Sequence, residues 1–165
     1  GCDGLWLLDA GYDVSFVDME GPSLAFLRWR LAQRFYYGSP IYTLPLTQSI
    51  PQHTFVWCMD VLEHLPSAEH QDFLAHLASL GRFVLVNLIQ DKAADGTVHY
   101  PVDVEGLTAF LREQWSLVYE DHYLSRTGNR TRFVCYGKDI PAALVRRLVP
   151  AEGTMLAGHE EEANA

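Results

Sequence analysis

The sequence is poor in basic residues and cysteine, has no long apolar run, and does not begin with methionine. Its 12 Lys and Arg face 21 Asp and Glu, a net charge of −9. That balance repels phosphate backbones and lacks the electrostatic footprint of a nucleic-acid binder, so a small-molecule or protein substrate is expected instead. No stretch approaches the roughly 20 apolar residues of a membrane span, and the start lacks the basic and apolar layout of a signal peptide. A soluble protein with no membrane partner follows. Cys2, Cys58 and Cys135 are odd in number and widely spaced, and two of them sit in apolar runs. They read as reduced thiols of a cytoplasmic protein, with neither a disulfide framework nor a metal site. His64, His70 and His76 recur every six residues, about 240° apart round a helix, so they share no metal on one face.

What is present is an alternation. The 165 residues, 48% hydrophobic and 20% charged, suit one domain with one sizeable core. "GCDGLWLLDAG" opens at once on a helical pattern, with Leu5 and Leu8 three apart and Gly11 placed to end it. A helix seldom starts a chain uncapped, so residues upstream of Gly1 are expected. "DVSFVD" reads as a strand. Leu24, Leu27, Leu31 and Phe35 then mark one face of an amphipathic helix that opens near Pro22. "SPIYTLPL" is a brief strand, and "TFVWCMD" is a nearly continuous apolar one, of the kind covered on both faces.

Ser67 is placed to cap a helix whose stripe is Phe73, Leu74 and Leu77, with Gly81 as its stop. "RFVLVNLI" is a further apolar strand. A polar loop from Asp91 to Val102 precedes a helix capped by Asp103 and carrying Leu107, Phe110 and Leu111. The strands "WSLVYED" and "TRFVCYG" are separated by too little chain for a crossover helix, so they are expected to be antiparallel. Pro141 to Val149 suits a short helix, and the acidic, apolar-poor end suits a disordered tail. The domain is thus expected over 1–149 and the tail over 150–165. The order specifies an α/β fold, a doubly wound and mostly parallel sheet with a C-terminal antiparallel strand pair.

"CMDVLEHLP" places Asp60, Glu63 and His64 where a strand hands over to a helix, at the strand tip, where open α/β sheets bind ligands. Together with "AGYDVSFVD", which follows Gly1, Leu5 and Leu7, this segment resembles the S-adenosylmethionine-dependent methyltransferases of the Rossmann-like class. The resemblance covers roughly residues 1 to 138. It implies a transferase of the cytoplasm that takes S-adenosylmethionine as cofactor. In the family's strand order, 3-2-1-4-5-7-6, the first strand and most of its glycine loop are absent, so an N-terminally truncated sheet is expected. The gap exposes two inner strand edges, which points to an upstream segment or to altered pairing.

The resemblance also implies roles. Asp18 accepts hydrogen bonds from the ribose hydroxyls, and Met19 walls the adenine. Gly1, Met59 and Asp60 border the methionine portion. His64 serves as base where the acceptor arrives protonated, and Glu63 orients it or acts in its place. No acid occurs in "IYTLPLTQS" to read the adenine amine.

Plainer readings stand beside these. Asp18 can simply end a strand, Glu63 and His64 can form a solvated helix start, Arg28, Arg30 and Arg34 read as a solvated helix face, and His99 and Tyr100 read as exposed loop. A catalytically silent binding module of the same fold, or an NAD-dependent oxidoreductase fragment, are the alternative functions. The acceptor and the oligomeric state carry no signature.

Overall fold

The structure, a computed structural model, describes residues 2–46, 48–90, 99–124 and 130–140. Gly1, the first part of the expected loop from Asp91, the expected helix over Pro141 to Val149 and the expected tail lie outside them. The chain divides into two compact units, Gly1–Pro51 and Gln52–Ala165.

The first unit runs α1 (Cys2–Asp9), β1 (Phe16–Met19), α2 (Pro22–Gln33) and β2 (Ile41–Leu44). Strands β1 and β2 are parallel, in register from Phe16↔Ile41 to Met19↔Leu44. Leu5 of α1, Phe16 of β1 and Leu24, Leu27 and Leu31 of α2 form its core. Helix α1 ends as its glycine foretells. Gly11 sits at φ 86°, its N–H bonds to the Leu8 carbonyl at 2.9 Å, and the Tyr12 N–H reaches back to the Leu7 carbonyl at 3.0 Å. Further up the same helix the backbone lies so close to the Phe16 ring that a Cβ at Gly4 would collide with it.

Phe35 departs from the expected stripe. It lies beyond α2, at φ 62°, and is 80% exposed. The cause is the helix end: the Phe35 N–H bonds to the Ala32 carbonyl at 3.1 Å, and the Tyr36 N–H bonds to the Leu31 carbonyl at 2.9 Å. This is the same two-bond closure as in α1, with a phenylalanine in the left-handed position that glycine ordinarily fills. Tyr36, one residue later, packs against the core in its place.

The second unit comprises β3 (His53–Cys58), two single 3₁₀ turns (Leu62–His64 and Ser67–Glu69), α3 (His70–Leu80), β4 (Gly81–Gln90), α4 (Val104–Gln114), β5 (Ser116–Leu124) and β6 (Arg130–Gly137). The sheet order is β3-β4-β6-β5, with β3 and β4 parallel and β6 antiparallel to both β4 and β5. Leu74 and Leu77 of α3, Val84, Val86 and Leu88 of β4, Leu107 and Leu111 of α4 and Val134 of β6 build one core, with Phe73 and Phe110 packed at its margin.

Two local expectations are corrected. Strand β3 is covered on one face only: Val56 and Cys58 pack on the core, whereas Phe55 and Trp57 are 43% and 45% exposed. Their neighbours in register, Phe83 and Leu85, pack against the small cluster of Val118, Cys135 and Ile140, of which neither Phe55 nor Trp57 is part. Ser67 does not cap α3. A 3₁₀ turn precedes that helix, and the Ser67 hydroxyl donates to the Pro101 carbonyl at 2.7 Å. Asp103 caps α4 as expected, accepting the Gly106 N–H at 3.0 Å.

Candidate functional site

Strand β3 ends at Cys58, and the chain turns over partly buried Met59 and exposed Asp60. Asp60 adopts φ 55°, a left-handed conformation that an acid tolerates better than most residues. The turn is clamped from β4. Asn87 Oδ1 accepts the Asp60 N–H at 2.8 Å, and Asn87 Nδ2 donates to Asp60 Oδ1 at 2.6 Å. The 3₁₀ turn that follows sorts its side chains by burial: Leu62 and Glu63 are 2% and 3% exposed, and His64 is exposed.

Glu63 is a buried acid whose Oε2 has no hydrogen-bond partner among the described residues, while its carbonyl accepts the Tyr100 N–H at 2.7 Å. The His64 ring meets the His99 ring edge-on, with centroids 4.8 Å apart. Burial pushes the Cys58 thiol up to about 12, and the negative charges of Glu63 and Asp60 add to that shift. Cys58 is therefore a neutral packing residue at ordinary pH, without nucleophilic character.

In the first unit Asp18 is the penultimate residue of β1, and its Oδ1 accepts the Met19 N–H at 2.8 Å. Met19 is 69% exposed. The acid just beyond, Glu20, is paired with Arg28 at 2.8 Å, and that hydrogen bond lowers its carboxyl below the usual range.

The structure thus gathers Met59, Asp60, Glu63 and His64 at the carboxyl end of β3, with His99 and Tyr100 beside them, and sets Asp18 and Met19 together at the carboxyl end of β1. No hydrogen bond joins Glu63 to His64, since one side chain is buried and the other faces out. Asn87 belongs to the site but was not anticipated; its signal is the lone amide in the run "RFVLVNLI". Among the described residues no group of three or more His, Cys, Asp and Glu is arranged to hold a metal ion, and no helix is long and apolar enough to cross a membrane.

No protein-family model matches the sequence, and no curated protein matches it. Solved structures do. Magnesium protoporphyrin IX methyltransferase from Synechocystis PCC 6803 with bound S-adenosylmethionine matches at TM-score 0.69 and 22% identity, over 84% of this chain and 65% of that one. With bound S-adenosylhomocysteine the same enzyme gives TM-score 0.68 and 21% identity, over 82% and 68%. The 1,6-didemethyltoxoflavin-N1-methyltransferase of Burkholderia thailandensis, with bound 1,6-didemethyltoxoflavin and S-adenosylhomocysteine, gives TM-score 0.60 and 19% identity, over 84% of this chain and 66% of that one. The Pnkp1/Rnl/Hen1 RNA repair complex matches at TM-score 0.53 and 13% identity, over 81% and 34%. The chain therefore spans between 65% and 68% of the first two enzymes' length. Likeness at these identities establishes the fold, which is that of the class I S-adenosylmethionine-dependent methyltransferases.

Proposed function

We propose that this protein binds S-adenosylmethionine and transfers its methyl group to an acceptor, a small molecule or a protein. The observation that carries the reading is the likeness of its fold to enzymes that hold this cofactor or its demethylated product. Topology supports it in each unit separately. The order β2-β1 reproduces the 3-2 end of the order 3-2-1-4-5-7-6, and β3-β4-β6-β5 reproduces its 4-5-7-6 end. The reading includes the finer fold, a doubly wound sheet. That two neighbours are named for small acceptors favours a small molecule here also.

The residues fit such a ligand chemically. Ribose hydroxyls and an α-ammonium donate hydrogen bonds, and a carboxylate such as that of Asp18 in the first unit or of Asp60 in the second is a suitable acceptor for one of them. Asp18 keeps Oδ2 without a partner among the described residues, as does Asp60. Met19 and Met59 supply adaptable apolar contact, and Gly1, proposed for the methionine portion, lies outside the described residues. The cofactor, when bound, supplies a methyl group on sulfonium sulfur for in-line displacement, so the protein's task is to align the acceptor and exclude water. His64, exposed beside His99, is the proposed base for a protonated acceptor, and Glu63 is the second candidate.

Calorimetric titration of the full protein with S-adenosylhomocysteine tests the reading, and measurable affinity is the expected result. Absence of affinity would leave the silent binding module, which the free sides of β1 and β3 favour: each has a single hydrogen-bonded neighbour among the described strands. Thermal stabilisation by NADH but not by S-adenosylhomocysteine would turn the assignment to an oxidoreductase.

A further inference from the structure

Asn87 is 4% exposed in the middle of β4, where Val86 and Leu88 on either side are core residues. A primary amide in such a place is unfavourable unless its polar atoms are satisfied, and a leucine would pack there without that penalty. Both polar atoms of the amide serve one neighbour. Oδ1 holds the Asp60 N–H at 2.8 Å, and Nδ2 holds Asp60 Oδ1 at 2.6 Å. Asp60 in turn occupies φ 55°, a conformation that L-residues with a Cβ resist. The clamp thus offsets two local penalties at once. It also divides the carboxylate, since Oδ1 is tied to the strand while Oδ2 has no partner among the described residues.

We propose that Asn87 is the positioning residue of the cofactor site: it locks the turn at Asp60 so that the free carboxylate oxygen meets the ammonium end of the methionine portion of S-adenosylmethionine. The inference rests on the methyltransferase reading above. Only an amide performs both halves of the clamp. An aspartate at 87 loses the donor and brings a second negative charge against Asp60, and a leucine keeps the volume but loses both bonds.

The test uses the full protein with three changes: Asn87→Leu, Asn87→Asp, and the exchange Asp60→Asn with Asn87→Asp. Amide hydrogen exchange reads the turn without any ligand. In Asn87→Leu and Asn87→Asp the residue-60 amide is expected to exchange about tenfold faster, while Val86 and Leu88 keep their protection. S-adenosylhomocysteine affinity is expected to fall about tenfold in both, the loss expected when one charged-group hydrogen bond is misplaced. The exchange restores a reciprocal clamp with the roles reversed, so protection of residue 60 returns, but full affinity does not, because the outward oxygen is then that of a neutral amide and no longer of a carboxylate facing the ammonium.

Unchanged exchange at residue 60 in Asn87→Leu overturns the clamp. Lost protection with unchanged affinity overturns the positioning role, and loss of protection along β4 would make Asn87 a structural residue only. A wild-type protein without affinity for S-adenosylhomocysteine defeats the methyltransferase reading and the cofactor half of this proposal, while the exchange data still decide whether Asn87 holds the turn.

Discussion

The two units meet the same packing problem with unequal means. Gly1–Pro51 closes five buried side chains over a two-stranded parallel ladder, while Trp6, Phe26, Trp29, Phe35 and Tyr37 remain more than half exposed. Gln52–Ala165 buries a cluster of twelve beneath two helices and a four-stranded sheet. A two-stranded sheet is marginal on its own, and a small core leaves each member a larger share of the stability. The comparison teaches that the smaller unit has little redundancy: among the described residues Leu5, Phe16 and the three leucines of α2 are its buried cluster, with only Leu8, Val14, Tyr36 and Ile41 partly buried against it.

The largest expected effect follows directly. Leu24 and Leu74 are both 0% exposed, so truncating either to alanine removes a comparable volume and costs about 2–5 kcal/mol. Leu24→Ala is expected to abolish amide protection in β1 and β2, whereas Leu74→Ala lowers the denaturant midpoint but leaves β4 and β6 protected. Equal loss of protection in the two variants would break the comparison.

A smaller effect sharpens it from the other side. Asp103→Ala removes the one described side-chain cap of α4 and is expected to cost about 1 kcal/mol. Urea unfolding should show that loss without any new intermediate, because the larger core holds α4 through Leu107 and Leu111.

The smallest effect vanishes at neutral pH. Burial raises the thiols of Cys58 to about 12 and of Cys135 to about 11 in the folded protein, from 9. The unfolded chain therefore loses these protons first as pH rises, and the native state is disfavoured between pH 9 and about 12. Below pH 9 the contribution is fully retained. Urea midpoints across that range should fall less steeply for Cys58→Ala than for the natural protein, and a slope unchanged by the substitution would contradict the burial.

How far the sequence was legible depends on whether one residue's pattern decides its place. Leu24, Leu27 and Leu31 repeat on the helical period and are buried, and Gly11 and Asp103 end and begin helices because their backbone and side-chain chemistry allow little else. Phe35 continues the same spacing, yet it lies outside, since closure of a helix end is set by which carbonyls find donors, and periodicity is blind to that. "TFVWC" has the composition of a strand enclosed on both sides, but enclosure is a tertiary fact, and Phe55 and Trp57 are half exposed.

At the site the motif showed Asp60, Glu63 and His64 as neighbours without showing that Glu63 is buried and His64 exposed. That sorting comes from a 3₁₀ turn with no strong local signature. Asn87 escaped because its partner is 27 positions away, beyond the reach of any local pattern.

That β3 has a single hydrogen-bonded neighbour among the described strands has a practical consequence. A row of ladder donors and acceptors bordered by two large rings is a template on which another extended polypeptide can crystallise one strand at a time. Concentrated solutions of residues 1–165 by themselves should consequently grow turbid sooner than a charge of −9 would suggest, and a lysine in place of Phe55 should keep them clear.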